Sequence, residues 1–144
     1  MRLKFTGHNT KPQIKYVNPE TLRKRCGKPQ NTACFNENSQ WTEKNNVLKI
    51  TFNPVIYLNN KLKGSAKKEA LAHEKRHFRD FRGLARQLRS ELTDRIQKRR
   101  YSSDYMENRW AWFHYDLCLA SRAYHKRIGA MVDICIRPSS SRPH

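Results

Sequence analysis

Apolar positions recur with a helical period through most of the second half of the chain. From Gly64 onward, apolar residues and two histidines follow one another every three or four positions, whereas lysine and arginine fill the opposite side. The residues on this face are Ala70, His73, His77, Phe81, Leu84, Leu88, Leu92 and Ile96. Because an α-helix turns once in about 3.6 residues, the pattern predicts one long helix that starts at Ser65 in cap position and reaches about Arg99.

A second helical pattern follows a break at residues 101–104, which read Tyr-Ser-Ser-Asp. Its inner face comprises Met106, Trp110, Phe113, Leu117, Ala120, Tyr124 and Ile128. Two long helices joined by so short a connection are expected to form an antiparallel hairpin.

The first third of the chain has no helical pattern longer than a few turns, because proline, glycine and asparagine interrupt it throughout. One short helix is predicted to start at Pro19, with Asn18 as its N-cap, and to end at Gly27. Residues 47–52 combine partial alternation with β-branched side chains, and residues 55–58 form a second apolar run. Both segments are predicted strands.

These elements predict an α+β fold, in which a small N-terminal region of strands and loops precedes a long antiparallel helical hairpin. A chain of 144 residues suits one hydrophobic core. We therefore expect a single domain over residues 1–136. Residues 137–144 contain two prolines and no other apolar residue, so we expect them to form a disordered tail.

The first long helix contains the only motif in the chain that specifies a chemistry. Residues 73–77 read His-Glu-Lys-Arg-His, which is the pattern HExxH. On a helix, His73 and His77 project from one face, so both imidazoles can bind one tetrahedral Zn²⁺ while Glu74 reaches its bound water. Zinc lowers the pKa of that water, and a carboxylate then accepts its proton as a carbonyl carbon is attacked. Glu74 is the candidate general base.

The motif, together with the strand that precedes the helix, resembles the zincin metallopeptidases. The resemblance implies a zinc enzyme in which an upstream strand aligns an extended peptide or protein substrate and a later segment supplies the third zinc ligand. The metzincin continuation is excluded, because no histidine follows His77 before His114. The gluzincin pattern asks for a glutamate on a following helix, a role for which Glu107 and Glu91 are candidates if the first helix is shorter than its apolar pattern predicts.

The geometry of the predicted hairpin favours another third ligand. If the turn centres near Ser102, residue 77 lies beside about residue 126 of the second helix. His125 is therefore the best-placed candidate, and Glu107 stays an alternative. Asp133 lies slightly beyond the site, where it can orient a ligand or replace His125 if the helices slip.

The net charge of the chain indicates which kind of partner it favours but does not identify that partner. Thirty lysine and arginine residues against twelve acidic residues give a formal net charge of +18, which favours anionic partners. Acidic substrates, an acidic inhibitor or immunity protein, and nucleic acid all satisfy this requirement. A basic nucleic-acid-binding protein and a zinc-dependent nuclease are therefore the competing functions, although the basic residues do not concentrate in one stripe.

The cysteines and the lack of a membrane span indicate the compartment. Four cysteines make an even count, and Cys26 and Cys34 enclose a loop that a disulfide could close. Free buried cysteines are the alternative. No apolar run approaches the length of a transmembrane helix, and no signal-peptide core follows the first residues. A small, basic hydrolase with disulfides is typical of a bacterial secreted effector or toxin domain, so we expect a secreted or periplasmic protein.

Overall fold

The computed structural model describes residues 1–27, 32–130 and 133–143. In chain order its elements are β1 (Arg2–Thr6), β2 (Gln13–Val17), α1 (Pro19–Cys26), β3 (Ala33–Asn36), β4 (Gln40–Lys44), β5 (Val47–Thr51), β6 (Val55–Asn59), α2 (Gly64–Gln97) and α3 (Ser103–Arg127). The strands come first and the two long helices follow. The predicted α+β architecture is confirmed.

The described chain divides into two compact units. One unit comprises Phe5–Trp41 and Ile50–Arg79, and the other comprises Met1–Lys4, Thr42–Lys49 and the chain from Asp80 onward. The strands form two three-stranded sheets, in the orders β1-β5-β4 and β2-β6-β3. The division falls within α2, so each unit contains one part of this helix.

Strand β6 is the centre of the core in the unit that contains the motif. It pairs in parallel with β2 and antiparallel with β3. On one face Ile56 and Leu58 pack with Ala70 of α2, and on the other Tyr57 packs with Leu22 of α1. Because both faces are covered, the strand is a continuous apolar run instead of an alternating one.

The short helix α1 has the ends that its sequence predicts. The Asn18 side chain accepts a hydrogen bond from the Thr21 backbone N–H at 2.8 Å, which satisfies one of the free donors of the first turn. The helix ends at Gly27, whose φ of 78° lies in the left-handed region. A disulfide joins Cys26, the last residue of α1, to Cys34 of β3. The helix and this disulfide are both confirmed.

The turn between the long helices is also close to the prediction. Helix α2 ends at Gln97, two residues before the predicted end at Arg99, which adopts a φ of 55°. The Ser102 side chain then accepts a hydrogen bond from the Tyr105 backbone N–H at 3.1 Å and caps α3. The predicted break at residues 101–104 thus becomes the turn and the N-terminal cap of α3.

The second part of α2 and α3 form the helical hairpin of the other unit. Leu88 and Leu92 of α2 and Met106 of α3 are fully buried. Arg109 of α3 is buried as well, and its guanidinium donates a hydrogen bond to the Glu91 carboxylate of α2. No helix in the described part of the chain has an apolar stretch sufficient to cross a lipid bilayer.

Residues near the C-terminus contact α3. A second disulfide joins Cys118 of α3 to Cys135. Farther along, the Trp112 indole N–H donates to the Ser140 carbonyl at 3.1 Å, and Arg142 donates two hydrogen bonds of 2.8 Å to Asp116. These contacts involve the predicted tail at residues 137–144, of which His144 lies outside the described residues.

We expect Leu92→Ala to lower the free energy of unfolding by about 2–5 kcal/mol, because it leaves a cavity between the helices. Urea unfolding followed by circular dichroism measures the change. Ser90→Ala, at an exposed position of the same helix, is the control and should stay within about 0.5 kcal/mol of the wild type. Equal stability of the two variants would contradict the packing described above.

Candidate metal centre

Helix α2 holds the two histidines of the motif together on one face. The Nε2 atoms of His73 and His77 lie 2.9 Å apart, and their ring centroids are 4.6 Å apart. Each neutral imidazole has one donor and one acceptor nitrogen, so at this distance one ring donates to the other. The nitrogens therefore face each other in the position where a shared cation would lie.

The spacing of this pair fits a zinc ion. Ligand nitrogens at about 2.0–2.1 Å from a tetrahedral Zn²⁺ are roughly 3.3 Å from each other. The Nε2 atoms of His73 and His77, at 2.9 Å, need to separate by only a few tenths of an ångström. The histidine pair is close to the geometry that tetrahedral coordination requires.

Glu74 lies between the two histidines in the sequence and is buried. Only 4% of its surface is exposed. Burial penalises the charged carboxylate and raises the pKa of Glu74 from 4.5 to about 7. A carboxyl group with a pKa near neutrality is suited to proton transfer at physiological pH, because it can both accept and release a proton.

His125 lies in the last turn of α3, and its orientation is defined by an acidic partner. Its Nδ1 is 2.8 Å from Oδ2 of Asp133. The same oxygen accepts a hydrogen bond of 2.9 Å from the Ser121 hydroxyl. A carboxylate can only accept hydrogen bonds, so Nδ1 of His125 carries the proton. In the neutral form of the ring, the lone pair is then on Nε2, the nitrogen that would bind a metal ion.

The three predicted ligands come together in the described part of the chain. One ring nitrogen from each of His73, His77 and His125 lies within 4.8 Å of the other two, which is close enough for all three to bind a single metal ion. Three imidazoles leave the fourth tetrahedral position open, as in catalytic zinc sites. This donor set favours a transition metal over calcium or magnesium, which prefer oxygen ligands.

The alternative third ligands have other surroundings. Glu91 is hydrogen-bonded to the buried Arg109. Glu107 is exposed near the start of α3, roughly 27 Å along this helix from His125 at 1.5 Å per residue. Asp133 contacts His125 directly, which is the orienting position considered from the sequence.

One residue of this cluster escapes sequence reasoning. Ser121 lies on α3 one turn before His125, and its hydroxyl shares Oδ2 of Asp133 with the imidazole. Spacing of four residues on one helix is a weak signal, because it predicts a shared face but no shared partner. The pairing of Cys118 with Cys135, which brings Asp133 back to α3, is likewise absent from any local pattern.

Comparisons with known proteins do not add to this picture. The chain matches no protein-family model, no curated protein and no solved structure. The function of the chain is therefore inferred from the motif and from the geometry of the described residues.

Glu74 gives the metal-free protein a specific pH dependence. The unfolded chain releases this proton near pH 4.5, whereas the folded protein keeps it to about pH 7. The folded state thus binds more protons between these values, and its stability falls as the pH rises through this range. The contribution of this one group is on the order of 3 kcal/mol.

Glu74→Gln should remove this contribution, because glutamine does not ionise. Unfolding free energies measured between pH 4 and 8 in the presence of a chelator test the expectation. Glu69→Gln, on the exposed side of the same helix, should keep the wild-type slope. A Glu74→Gln variant with an unchanged slope would show that Glu74 ionises normally in the folded protein.

Proposed function

We propose that this protein is a zinc-dependent hydrolase, specifically a metallopeptidase. The observation that carries the proposal is one turn of α2 that presents two facing imidazoles with a buried carboxyl group between them in sequence. His73 and His77 are the first two ligands. His125 is the third ligand, because its nitrogen lies with theirs and its Nδ1 is already bonded to Asp133.

Each residue of the motif has a defined chemical role in this proposal. A zinc ion held by these histidines would supply Lewis acidity to the substrate carbonyl and would lower the pKa of a water molecule at its open position. Its charge would also favour the charged form of Glu74 and counteract the effect of burial on its pKa. Glu74 then accepts the proton of the attacking water and delivers it to the leaving nitrogen of the cleaved amide.

The choice of zinc and the choice of a peptide bond as substrate rest on different observations. Three imidazole ligands and one open position are typical of catalytic zinc, although imidazole also suits other transition metals. The choice of a peptide bond rests on the resemblance of residues 73–77 to the zincin motif. Lys75 and Arg76, at the variable positions of that motif, suit an acidic substrate if they border the substrate site.

The charge and the disulfides support an extracellular or periplasmic role. All four cysteines are paired, as is typical of proteins from oxidising compartments. A net charge of +18 favours an acidic substrate or an acidic inhibitor or immunity protein. We therefore propose that the chain is a secreted bacterial effector or toxin domain that acts on proteins or peptides.

The same charge favours a second candidate function, binding or cleavage of nucleic acid. The +18 charge predicts affinity for any polyanion, so DNA binding that falls steeply with salt reports phosphate contacts only. Metal-independent binding that discriminates DNA from heparin would favour a nucleic-acid-binding protein. Zinc-dependent cleavage of phosphodiesters would instead favour a nuclease that uses the same histidines.

We expect the purified protein without a polyhistidine tag to contain about one zinc ion per chain. Glu74→Gln should keep this zinc but lower the rate of hydrolysis of an unfolded protein substrate by at least about 100-fold, because it lacks the general base. His73→Ala should lose both the zinc and the activity. Metal analysis by mass spectrometry and a peptide-release assay measure the two effects.

Glu69→Gln is the matched control for these variants, because it makes the same chemical change at an exposed position of α2. It should retain wild-type zinc and wild-type activity. Full activity in Glu74→Gln would refute the assigned role of this residue. A wild-type protein that binds no metal would remove the hydrolase proposal as a whole.

A further inference from the structure

The chain from Asp133 to Arg137 packs on α3 with alternate side chains. Asp133 contacts Ser121 and His125, Cys135 is bonded to Cys118, and Arg137 lies over the Trp112 ring. Successive residues of the segment contact positions that lie progressively closer to the N-terminus of α3. The segment therefore runs antiparallel to the helix.

The side chains between these three face solvent. Ile134 and Ile136 are 91% and 86% exposed. Alternation of contacting and exposed positions is typical of extended chain. Packing of apolar side chains therefore does not hold this segment in place, and its attachment depends on residues 133, 135 and 137.

We propose that Asp133 is a positioning residue for the metal ligand His125, and that the Cys118–Cys135 disulfide holds Asp133 in this position. The proposal rests on the proposed function, because it assigns His125 as a ligand. It goes beyond that function by making metal affinity depend on a disulfide. Reduction of this bond would weaken the metal centre without changing any of its three ligands.

The first step is the effect of Asp133 on the imidazole. Its Oδ2 accepts a hydrogen bond from Nδ1–H at 2.8 Å, which favours the tautomer that carries no proton on Nε2 and orients the ring. Without it, the ring can rotate and can carry its proton on Nε2, where the proton competes with a metal ion.

The second step is the effect of the disulfide on Asp133. The Asp133 side chain is 36% exposed, and hydrogen bonds to so exposed a group contribute little to holding a segment. Cys135 is only two residues away and is covalently joined to α3. This link keeps the carboxylate at a high effective concentration near His125. Farther along the described segment, Ser140, Ser141 and Arg142 also form hydrogen bonds with α3, but they are too far along the chain to hold Asp133 in place.

Two readouts on the complete chain test the proposal. Zinc affinity, measured by competition with a chromogenic chelator, should fall about 10–100-fold in Asp133→Ala, the range typical of lost partners of ligand histidines. Cys118→Ser/Cys135→Ser should weaken zinc binding in the same direction. Combining the three substitutions should add little to Asp133→Ala alone, because the disulfide acts through Asp133.

The second readout needs no metal. Nitrogen NMR of the histidine side chains should show His125 protonated at Nδ1 in the zinc-free wild type. This signature should be lost in Asp133→Ala and reduced in Cys118→Ser/Cys135→Ser. A merely structural contribution of Asp133 would leave the tautomer unchanged. If the wild type binds no zinc, the proposed function fails, but the tautomer still decides the role of Asp133.

Two matched controls separate the effect of Asp133 and its disulfide from general effects of such substitutions. Cys26→Ser/Cys34→Ser removes the other disulfide. Asp116→Ala removes a carboxylate of α3 that binds Arg142 of the C-terminal segment. Both should keep wild-type zinc affinity and the Nδ1 proton. Ser121→Ala leaves the disulfide intact but removes one hydrogen bond to Asp133. It should lower zinc affinity and the population of the Nδ1-protonated tautomer less than Asp133→Ala does. This variant tests the positioning of Asp133 even if the cysteine variant does not fold.

Wild-type affinity and tautomer in folded Cys118→Ser/Cys135→Ser would overturn the role of the disulfide. The same result in Asp133→Ala would overturn the role of Asp133.

Discussion

The helical register of α2 is the constraint on which the candidate site depends. His73 and His77 face each other because four residues make about one turn, and their separation of 2.9 Å requires an undistorted backbone between them. That backbone is stabilised at both ends of a 34-residue helix. Before the motif, Ala70 packs against Ile56 and Leu58, and after it Leu88 and Leu92 are fully buried. Packing at positions distant from the histidines therefore fixes the histidines themselves.

Two glutamates of α2, Glu74 and Glu91, lie in different environments. Glu91 accepts a hydrogen bond from the buried Arg109 guanidinium. Glu74 is buried to 4% exposure, and desolvation raises its pKa to about 7. Both are glutamates on one helix, so the environment alone separates a structural ion pair from a group that can exchange a proton near neutral pH.

Local signals in the sequence predicted most of the elements. Asn18 and Gly27 bound α1 because capping depends on neighbouring residues only. The break before α3 follows from the same kind of signal, whereas α2 begins at Gly64, one residue before the serine predicted to cap it. The order of the strands in the two sheets could not be predicted, because pairing such as that of β6 with β2 and β3 joins residues far apart in the sequence.

The same distinction between local and long-range signals applies to the candidate site. The motif at residues 73–77 is local and was read directly. His125 followed from counting residues around the predicted hairpin, which works because helices have a constant rise. Asp133 is predicted from the sequence either to orient a ligand or to replace His125, whereas Ser121 is not predicted at all. Both contacts depend on the return of the chain after α3, which the Cys118–Cys135 disulfide joins back to the helix and no periodic pattern describes.

The two disulfides also determine which side chains can act as metal ligands. Thiolates bind zinc more strongly than most other side chains, and four reduced cysteines would compete with imidazole for the ion. With Cys26 paired to Cys34 and Cys118 paired to Cys135, no free thiol remains in the chain. With both disulfides formed, thiolates do not compete with imidazole, and one ring nitrogen from each of His73, His77 and His125 lies within 4.8 Å of the other two. Pairing of the cysteines would therefore leave this histidine cluster as the candidate site for a metal ion.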